Sequence, residues 1–316
     1  MNYQFDTFQQ KNGIAVTVIA RDLFIAEVGD RIATIMEYSE RLNMGRGTIQ
    51  NALALLINSG AVDFVKQGHK GTLITKLNKK ILWKYTNWEP LIGAFPFPSS
   101  ETSLALAEAF QDVVKRSSLE VMPSFTVAMH NRIQALNEGK YAFAVATQLV
   151  EGLCREQYRN VTVALRMPQC SYAGKYMVFQ RKGEVSCMRD GAVLAINARS
   201  LEQRIISAHL CENVAFHVLE MTQRDALHAL AEGEVDCILC REDEAKRLIP
   251  RYEPGLSFEG HSISYLGLDE EIRIPVLMVN KNNYRMAELL ASCIDPEEVG
   301  EIQKRVLAGE LHLPLF

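Results

Sequence analysis

Two stretches of this chain align on one another without a gap, IQALNEGKYAFAVAT at 133–147 and LHALAEGEVDCILCR at 227–241. Ala135-Leu136 falls on Ala229-Leu230 and Gly139 on Gly233, so in each copy a helix with an apolar stripe ends at a glycine and an apolar run follows. An apolar run that does not alternate is a strand covered on both faces, as in a parallel sheet flanked by helices. A helix followed by a buried strand, used twice, constrains this part of the chain to an α/β body with two similar halves.

The flanks extend the pattern. Ahead of the first copy, LIGAF reads as a strand, SETSLALAEAFQDVVKRS as an amphipathic helix, LEVMPSFTVA as a strand and RIQALNEG as a helix, and YAFAVAT closes a βαβαβ run. Ahead of the second, AVLAIN, RSLEQRIISAHLCE and VAFHVLEMT read as strand, helix and strand. Between the halves, VTVALRMPQCSYAGKYMVFQRKGE would cross from one lobe to the other, and IRIPVLMVNKNN would return. Two α/β lobes with paired crossovers resemble the type 2 periplasmic-binding-protein fold, which also serves as the effector domain of LysR-type regulators. The resemblance covers residues 90–316, with the second lobe at roughly 170–255.

That fold implies a ligand in the cleft between the lobes, where loops leave the carboxyl ends of strands. The rule selects Ser99, Ser100, Thr102, Thr126, Thr147 and Gln148 in the first lobe, and Asn197, Arg199, Ser200, Thr222, Gln223 and Glu242 in the second. The helix starts PSSETSLALAEAF and NARSLEQRIISAH are expected to face each other across the cleft. Their free N–H groups and helix dipoles would favour an anionic effector, with Arg199 as a bidentate clamp. The competing reading makes Ser100 and Ser200 ordinary helix caps, with Glu101 and Glu202 satisfying the same helix ends.

The first quarter of the chain has another pattern. In ERLNMGRGTIQNALALL, Ile49, Ala52, Leu53 and Leu56 fall at i, i+3, i+4 and i+7. One stripe of this helix therefore faces a core, while Gly47, Gln50, Asn51 and Ala54 form a small polar face flanked by Arg46 and Thr48. Upstream, Thr34 and Glu37 have capping-box spacing, and Asn43 suits the left-handed turn that ends a helix. Downstream, AVDFVKQGHKGTLIT places two β-rich runs around a basic tip, a hairpin wing. Two helices joined by a short turn and followed by such a hairpin make a winged helix-turn-helix.

GDRIATIMEYSERLNMGRGTIQNALALLINSGAV resembles, without a gap, the winged-helix domain of GntR-type bacterial transcription regulators, and the match covers residues 14 to 75. Gly29-Asp30-Arg31-Ile32, Glu40-Arg41-Leu42, the recognition-helix positions Arg46, Thr48, Ile49, Ala52 and Leu53, and Gly71-Thr72 in the wing carry it. Three positions depart from that family: Met36 and Gln50 stand where arginines are frequent, and Gly45 stands where an N-cap serine is usual. Fewer cationic contacts are therefore expected. With its body, the whole chain resembles the YhfZ-type regulators, a GntR-like head on a periplasmic-binding-protein-like body. The resemblance implies double-stranded operator DNA as partner, with Arg46, Thr48, Gln50 and Asn51 toward the major groove and Arg31, Lys66, His69 and Lys70 toward backbone or minor groove. It also implies a homodimer, because one head covers one half-site.

Charge agrees with this division. Residues 1–84 hold eleven Lys and Arg against seven Asp and Glu, whereas the chain as a whole has a net charge of −4. The head suits phosphate and the acidic remainder repels it. The head is assigned to 1–78 and the linker to 79–89, in which Trp83 and Trp88 are expected to pack head against body. The N-terminus lacks a signal-peptide pattern and no window approaches roughly 18 uncharged apolar residues, so the cytoplasm is expected and a membrane partner is not. Seven cysteines fit reduced thiols, and Cys237 and Cys240, on one strand, are expected to point to opposite faces in the core. No metal-ligand, nucleophile-elbow or phosphate-loop motif is present, so neither cofactor nor metal is expected. The chain reads as a ligand-responsive, DNA-binding transcription regulator and not as an enzyme. The alternative is an enzyme of the same bilobal fold acting on a small anionic metabolite.

Overall fold

The computed structural model describes residues 11–88, 91–98, 100–117, 119–197, 199–283 and 285–313. The chain divides into two compact units, Met1–Leu91 with Val114–Val121 and Ile92–Val113 with Met122–Phe316.

In the first unit, α1 (Lys11–Ile25), α2 (Ile35–Leu42) and α3 (Arg46–Asn58) precede a hairpin of β1 (Val62–Lys66) and β2 (Thr72–Leu77), then the short α4 (Lys79–Trp83). The capping box at α2 forms, with the Glu37 N–H donating to Thr34 Oγ1 at 3.1 Å and the Thr34 N–H donating to the Glu37 carboxylate. The backbone hydrogen bond from Thr34 comes first among the causes that hold the Glu37 carboxyl below its ordinary pKa. Asn43 ends α2 in the left-handed conformation, at φ 51°. Ile49, Ala52 and Leu56 of α3 are buried and Leu53 is half-buried, which is the expected stripe. Residues 29–32 lie along β2, through bonds from the Gly29 and Ile32 N–H groups to the Ile74 and Thr72 carbonyls and from the Ile74 N–H to Asp30. Trp83 and Trp88 pack within this unit, their rings 5.4 and 5.9 Å from that of Phe24. Buried Arg21 donates from Nε to the Thr86 carbonyl at 2.7 Å and lies over the Trp88 ring. Residues 79–88 thus fold with the head.

The second unit contains two five-stranded sheets. The chain runs through β3 (Leu91–Pro96), α5 (Glu101–Arg116), β4 (Val121–Thr126), α6 (Met129–Asn137), β5 (Phe143–Thr147), α7 (Glu151–Gln157) and β6 (Val161–Arg166). It crosses to the second sheet with β7 (Tyr176–Arg181), β8 (Val193–Asn197), α8 (Leu201–Cys211), β9 (His217–Met221), α9 (Gln223–Glu232), β10 (Cys237–Arg241), α10 (Glu242–Tyr252) and β11 (Phe258–Ser262). It returns through α11 (Asp269–Arg273) to β12 (Pro275–Asn280) and ends in α12 (Met286–Cys293) and α13 (Pro296–Leu307). The first sheet has the order β4-β3-β5-β12-β6 and the second β11-β7-β10-β8-β9. β3 runs parallel to β5, and β12 inserts antiparallel between β5 and β6 with all six residues buried. β8 runs parallel to β9 and β10. Both crossovers expected from the sequence are therefore present, and the second sheet extends to Ser262.

The repeat has a structural meaning. The helix of each copy ends before a glycine with positive φ, 78° at Gly139 and 79° at Gly233, and the chain then enters a fully buried strand, β5 or β10. Glycine takes this conformation without a Cβ penalty. Along β10, Cys237 and Leu239 join the core on one face, and Ile238 and Cys240 join it on the other. All seven cysteines are free thiols.

Candidate functional site

The polar face of α3 is open. Arg46, Gln50 and Asn51 are exposed and Thr48 is half-buried. The N-cap is Gly45, which has no side chain to satisfy the first N–H groups of the helix. Lys66 ends β1, and His69 and Lys70 lie exposed on the single turn Gly68–Lys70 at the wing tip. Arg31 bridges to Leu73 of β2, pairs with Glu37 at 3.4 Å, and lies over Gly71, where a Cβ would meet its Nε at 3.2 Å. Among the described residues Arg46, Lys66 and Lys70 have no ion-pair partner.

In the body, polar groups gather where β5 and β10 end. Glu202, on the first turn of α8, is buried, and its Oε1 accepts from Thr147 Oγ1 at 2.9 Å. Its Oε2 accepts from the Tyr176 hydroxyl at 2.9 Å and from an Arg241 terminal nitrogen at 2.6 Å. The Arg241 guanidinium lies 5.1 Å from the Tyr172 ring centroid and 5.0 Å from that of Tyr176. The Tyr172 hydroxyl in turn accepts from Arg132 at 2.7 Å. Arg132 donates further to the Val145 carbonyl at 3.2 Å and to the Thr126 carbonyl and Oγ1 at 3.0 and 3.3 Å. Burial pushes the Tyr172 and Tyr176 phenols above their ordinary range, so both stay neutral. Burial, the largest influence, would draw the Arg241 pKa down, but Glu202, Tyr176, Glu244 and Tyr172 together outweigh it and keep the guanidinium charged.

Of the residues selected from sequence, Thr126 and Thr147 belong to this cluster. Ser99 lies outside the described residues. Ser100 exchanges hydrogen bonds with Ser103 at the start of α5, Ser200 accepts from the Gln203 N–H at 3.2 Å, and exposed Thr222 accepts from the Asp225 N–H at 3.2 Å. All three serve as helix caps. Asn197 Oδ1 accepts from the Arg199 N–H at 3.1 Å, and the Arg199 side chain is exposed. Thr102 lines a separate pocket of about 460 Å³ between the two crossover segments, with Ser171, Lys175, Glu270 and Arg273. The sequence rule did not select Arg132, Tyr172, Tyr176, Glu202 or Arg241. A signal existed, because the gapless repeat aligns Thr147 with Arg241, and both hold Glu202. Among the described residues, no group of three or more His, Cys, Asp or Glu side chains is placed to hold a metal ion, and no helix is long and apolar enough to cross a membrane.

Comparison with known proteins agrees with this architecture. Residues 27–74 match a helix-turn-helix domain family, and residues 78–313 match a family described as the YhfZ C-terminal domain. The chain belongs to the YhfZ family. It is 23% identical over 307 residues to the YhfZ protein of Escherichia coli strain K12, covering 96% of this chain and 97% of that protein. The crystal structure of YhfZ from Shigella flexneri is similar with a TM-score of 0.60 at 20% identity, over 74% of this chain and 97% of that one. The periplasmic aliphatic sulphonate binding protein SsuA from Escherichia coli is similar with a TM-score of 0.50 at 13% identity, over 71% of this chain and 75% of that one. This YhfZ-family body thus has a bilobal fold resembling that of periplasmic binding proteins, joined to a helix-turn-helix head.

Proposed function

We propose that this chain is a transcription regulator that binds operator DNA through residues 14–75 and senses a small molecule in the inter-lobe cleft of residues 90–316. One observation carries the reading. A recognition helix with an open polar face and unpaired Arg46 shares the chain with a bilobal body whose buried charged groups converge where β5 and β10 end. Arg46, Thr48, Gln50 and Asn51 enter the major groove, and Arg31, Lys66, His69 and Lys70 approach the backbone or the minor groove. The protein acts in the cytoplasm as a homodimer joined through its body, so that two heads read an inverted repeat. Ser100, Asn197, Arg199, Ser200 and Thr222 then shape the cleft around the buried cluster.

The test is selection of DNA from a random duplex library by the full chain. An inverted repeat should be enriched, and its affinity should fall steeply with salt. Arg46→Ala should cost about 1–3 kcal/mol of preference for that site if the arginine reads a guanine. Lys66→Ala or Lys70→Ala should weaken every sequence alike and reduce the salt slope by about 1. Binding that ignores salt and survives Arg46→Ala would contradict this geometry.

A further inference from the structure

The buried cluster carries an imbalance of charge. Arg132 is 1% exposed, yet the groups it contacts, two carbonyls and two hydroxyls, are all neutral. Among the described residues no carboxylate pairs with it. Arg241 is 8% exposed, has one paired carboxylate, Glu202, and leaves its Nε without a hydrogen-bond partner. Half-buried Glu244 adds to the field at Arg241 and does not pair with Arg132. The cluster therefore holds two buried guanidinium groups and one buried carboxylate, which pairs with Arg241 and not with Arg132, although a buried cation needs both an opposite charge and satisfied donors.

Glu202 is held as a bound anion would be. Its two oxygens take hydrogen bonds from Thr147 on the first sheet and from Tyr176 and Arg241 on the second. Thr147 and Arg241 end corresponding strands of the two lobes, the place where an α/β fold presents its ligand. We propose that Glu202 is an internal stand-in for the effector, and that the effector is a small oxyanion bearing a carboxylate or phosphate group. Its anionic group takes the place of Glu202 on Thr147, Tyr176 and Arg241, and reaches the donor that Arg241 Nε leaves free. Arg132, held by Thr126 and Tyr172, supplies the second positive charge. The assignment rests on the cleft being the effector site and moves the anion-binding role from exposed Arg199 to the buried pair.

Calorimetric titration of the full chain, wild type and Glu202→Gln, tests it, with succinate and inorganic phosphate as probes and putrescine and glycerol as cationic and neutral controls. The amide keeps the size of the side chain and removes the competing charge. Succinate or phosphate should therefore bind the variant roughly tenfold or more tightly than wild type, because an internal competitor lowers the competent fraction. Thr147→Val in the Glu202→Gln background should weaken that binding. Glu202→Asp, which withdraws the carboxylate from the same donors, gives the same comparison if the first variant fails to fold. Anions that bind neither chain, or both equally, overturn the proposal. So does putrescine binding to wild type and losing affinity in Glu202→Gln, which would make Glu202 itself the recognising group. Those results leave DNA recognition standing, whereas failure of the regulator reading appears separately, as a full chain that selects no DNA sequence.

Discussion

The recognition helix and the inter-lobe cluster both present arginines where a partner is expected, and they hold them in opposite ways. Arg46 is exposed at the first position of α3 and has no ion-pair partner among the described residues, whereas Arg241 is buried at the end of β10 and paired with Glu202. A cation in water can wait unpaired for a phosphate at little cost to folding. A cation in the interior cannot, because desolvation must be offset by an opposite charge at hydrogen-bond distance. On the proposed reading the head is ready to bind as it folds, while the body is already bound to part of itself and has to exchange that contact to respond.

The largest effect expected from this contrast is in stability. Arg241→Gln leaves the Glu202 carboxylate buried without its charge partner and should cost about 3–5 kcal/mol in chemical denaturation of the body transition. Arg46→Ala should stay within about 0.5 kcal/mol of wild type in the same measurement. Equal effects would remove the distinction between the two arginines.

Two glycines sharpen the comparison at a smaller scale. Gly93 sits opposite Phe143 in the parallel β3–β5 pair, and an added Cβ would meet the phenyl ring at 2.2 Å. Gly93→Ala should destabilise the body by about 1–3 kcal/mol. Gly47, near the start of α3, has no described heavy atom beyond its chain neighbours and its own helix backbone within 4 Å of an added Cβ. Gly47→Ala should stabilise the head by about 0.5–1 kcal/mol through helix propensity, yet weaken DNA binding if bare backbone approaches the groove there. A gain in both stability and DNA affinity would remove Gly47 from the interface.

The smallest expected effect separates the units by pH. Glu37 in the capping box has a carboxyl pKa lowered from its ordinary value, chiefly by the Thr34 backbone hydrogen bond. Its stabilisation is present above the ordinary carboxylate range and is lost as pH falls through the depressed folded-state value. A pH series of thermal melts should show the head transition of wild type losing stability in acid more than that of Glu37→Gln. Identical slopes would mean that the ionised Glu37 carboxylate contributes nothing to α2.

What was legible in the sequence follows the same division. The helix-turn-helix is contiguous, so Thr34, Glu37, Asn43 and the Ile49, Ala52, Leu56 stripe fix its helices through neighbours a few residues away. The α/β alternation and the repeat were readable for the same reason, since each rests on local periodicity, whereas the return of β12 to the first sheet was read from the pattern of paired crossovers between two similar lobes. The α4 turn was not, because it consists of only five residues, and Trp83 gains its place from contact with Phe24 at the far end of the unit. The cluster is assembled from Arg132, Thr147, Tyr172, Tyr176, Glu202 and Arg241, which only the paired crossovers bring together. Choosing loop residues after each strand selected Glu242 and passed over Arg241, the last residue of β10, and it selected Ser200 while assigning Glu202 to the helix end. Hydroxyl residues at helix starts are mostly taken by their own helices, as Ser100, Ser200 and Thr222 are here.

The central claim is that cleft and recognition helix belong to one switch, and linkage tests it most directly. The affinity of the full chain for its selected DNA is measured with and without the saturating anion found in the titration, and the anion affinity is then measured with and without that DNA. A switch predicts that each ligand changes the affinity of the other by the same factor, about 5–150-fold. DNA and anion that bind with no effect on each other would contradict it.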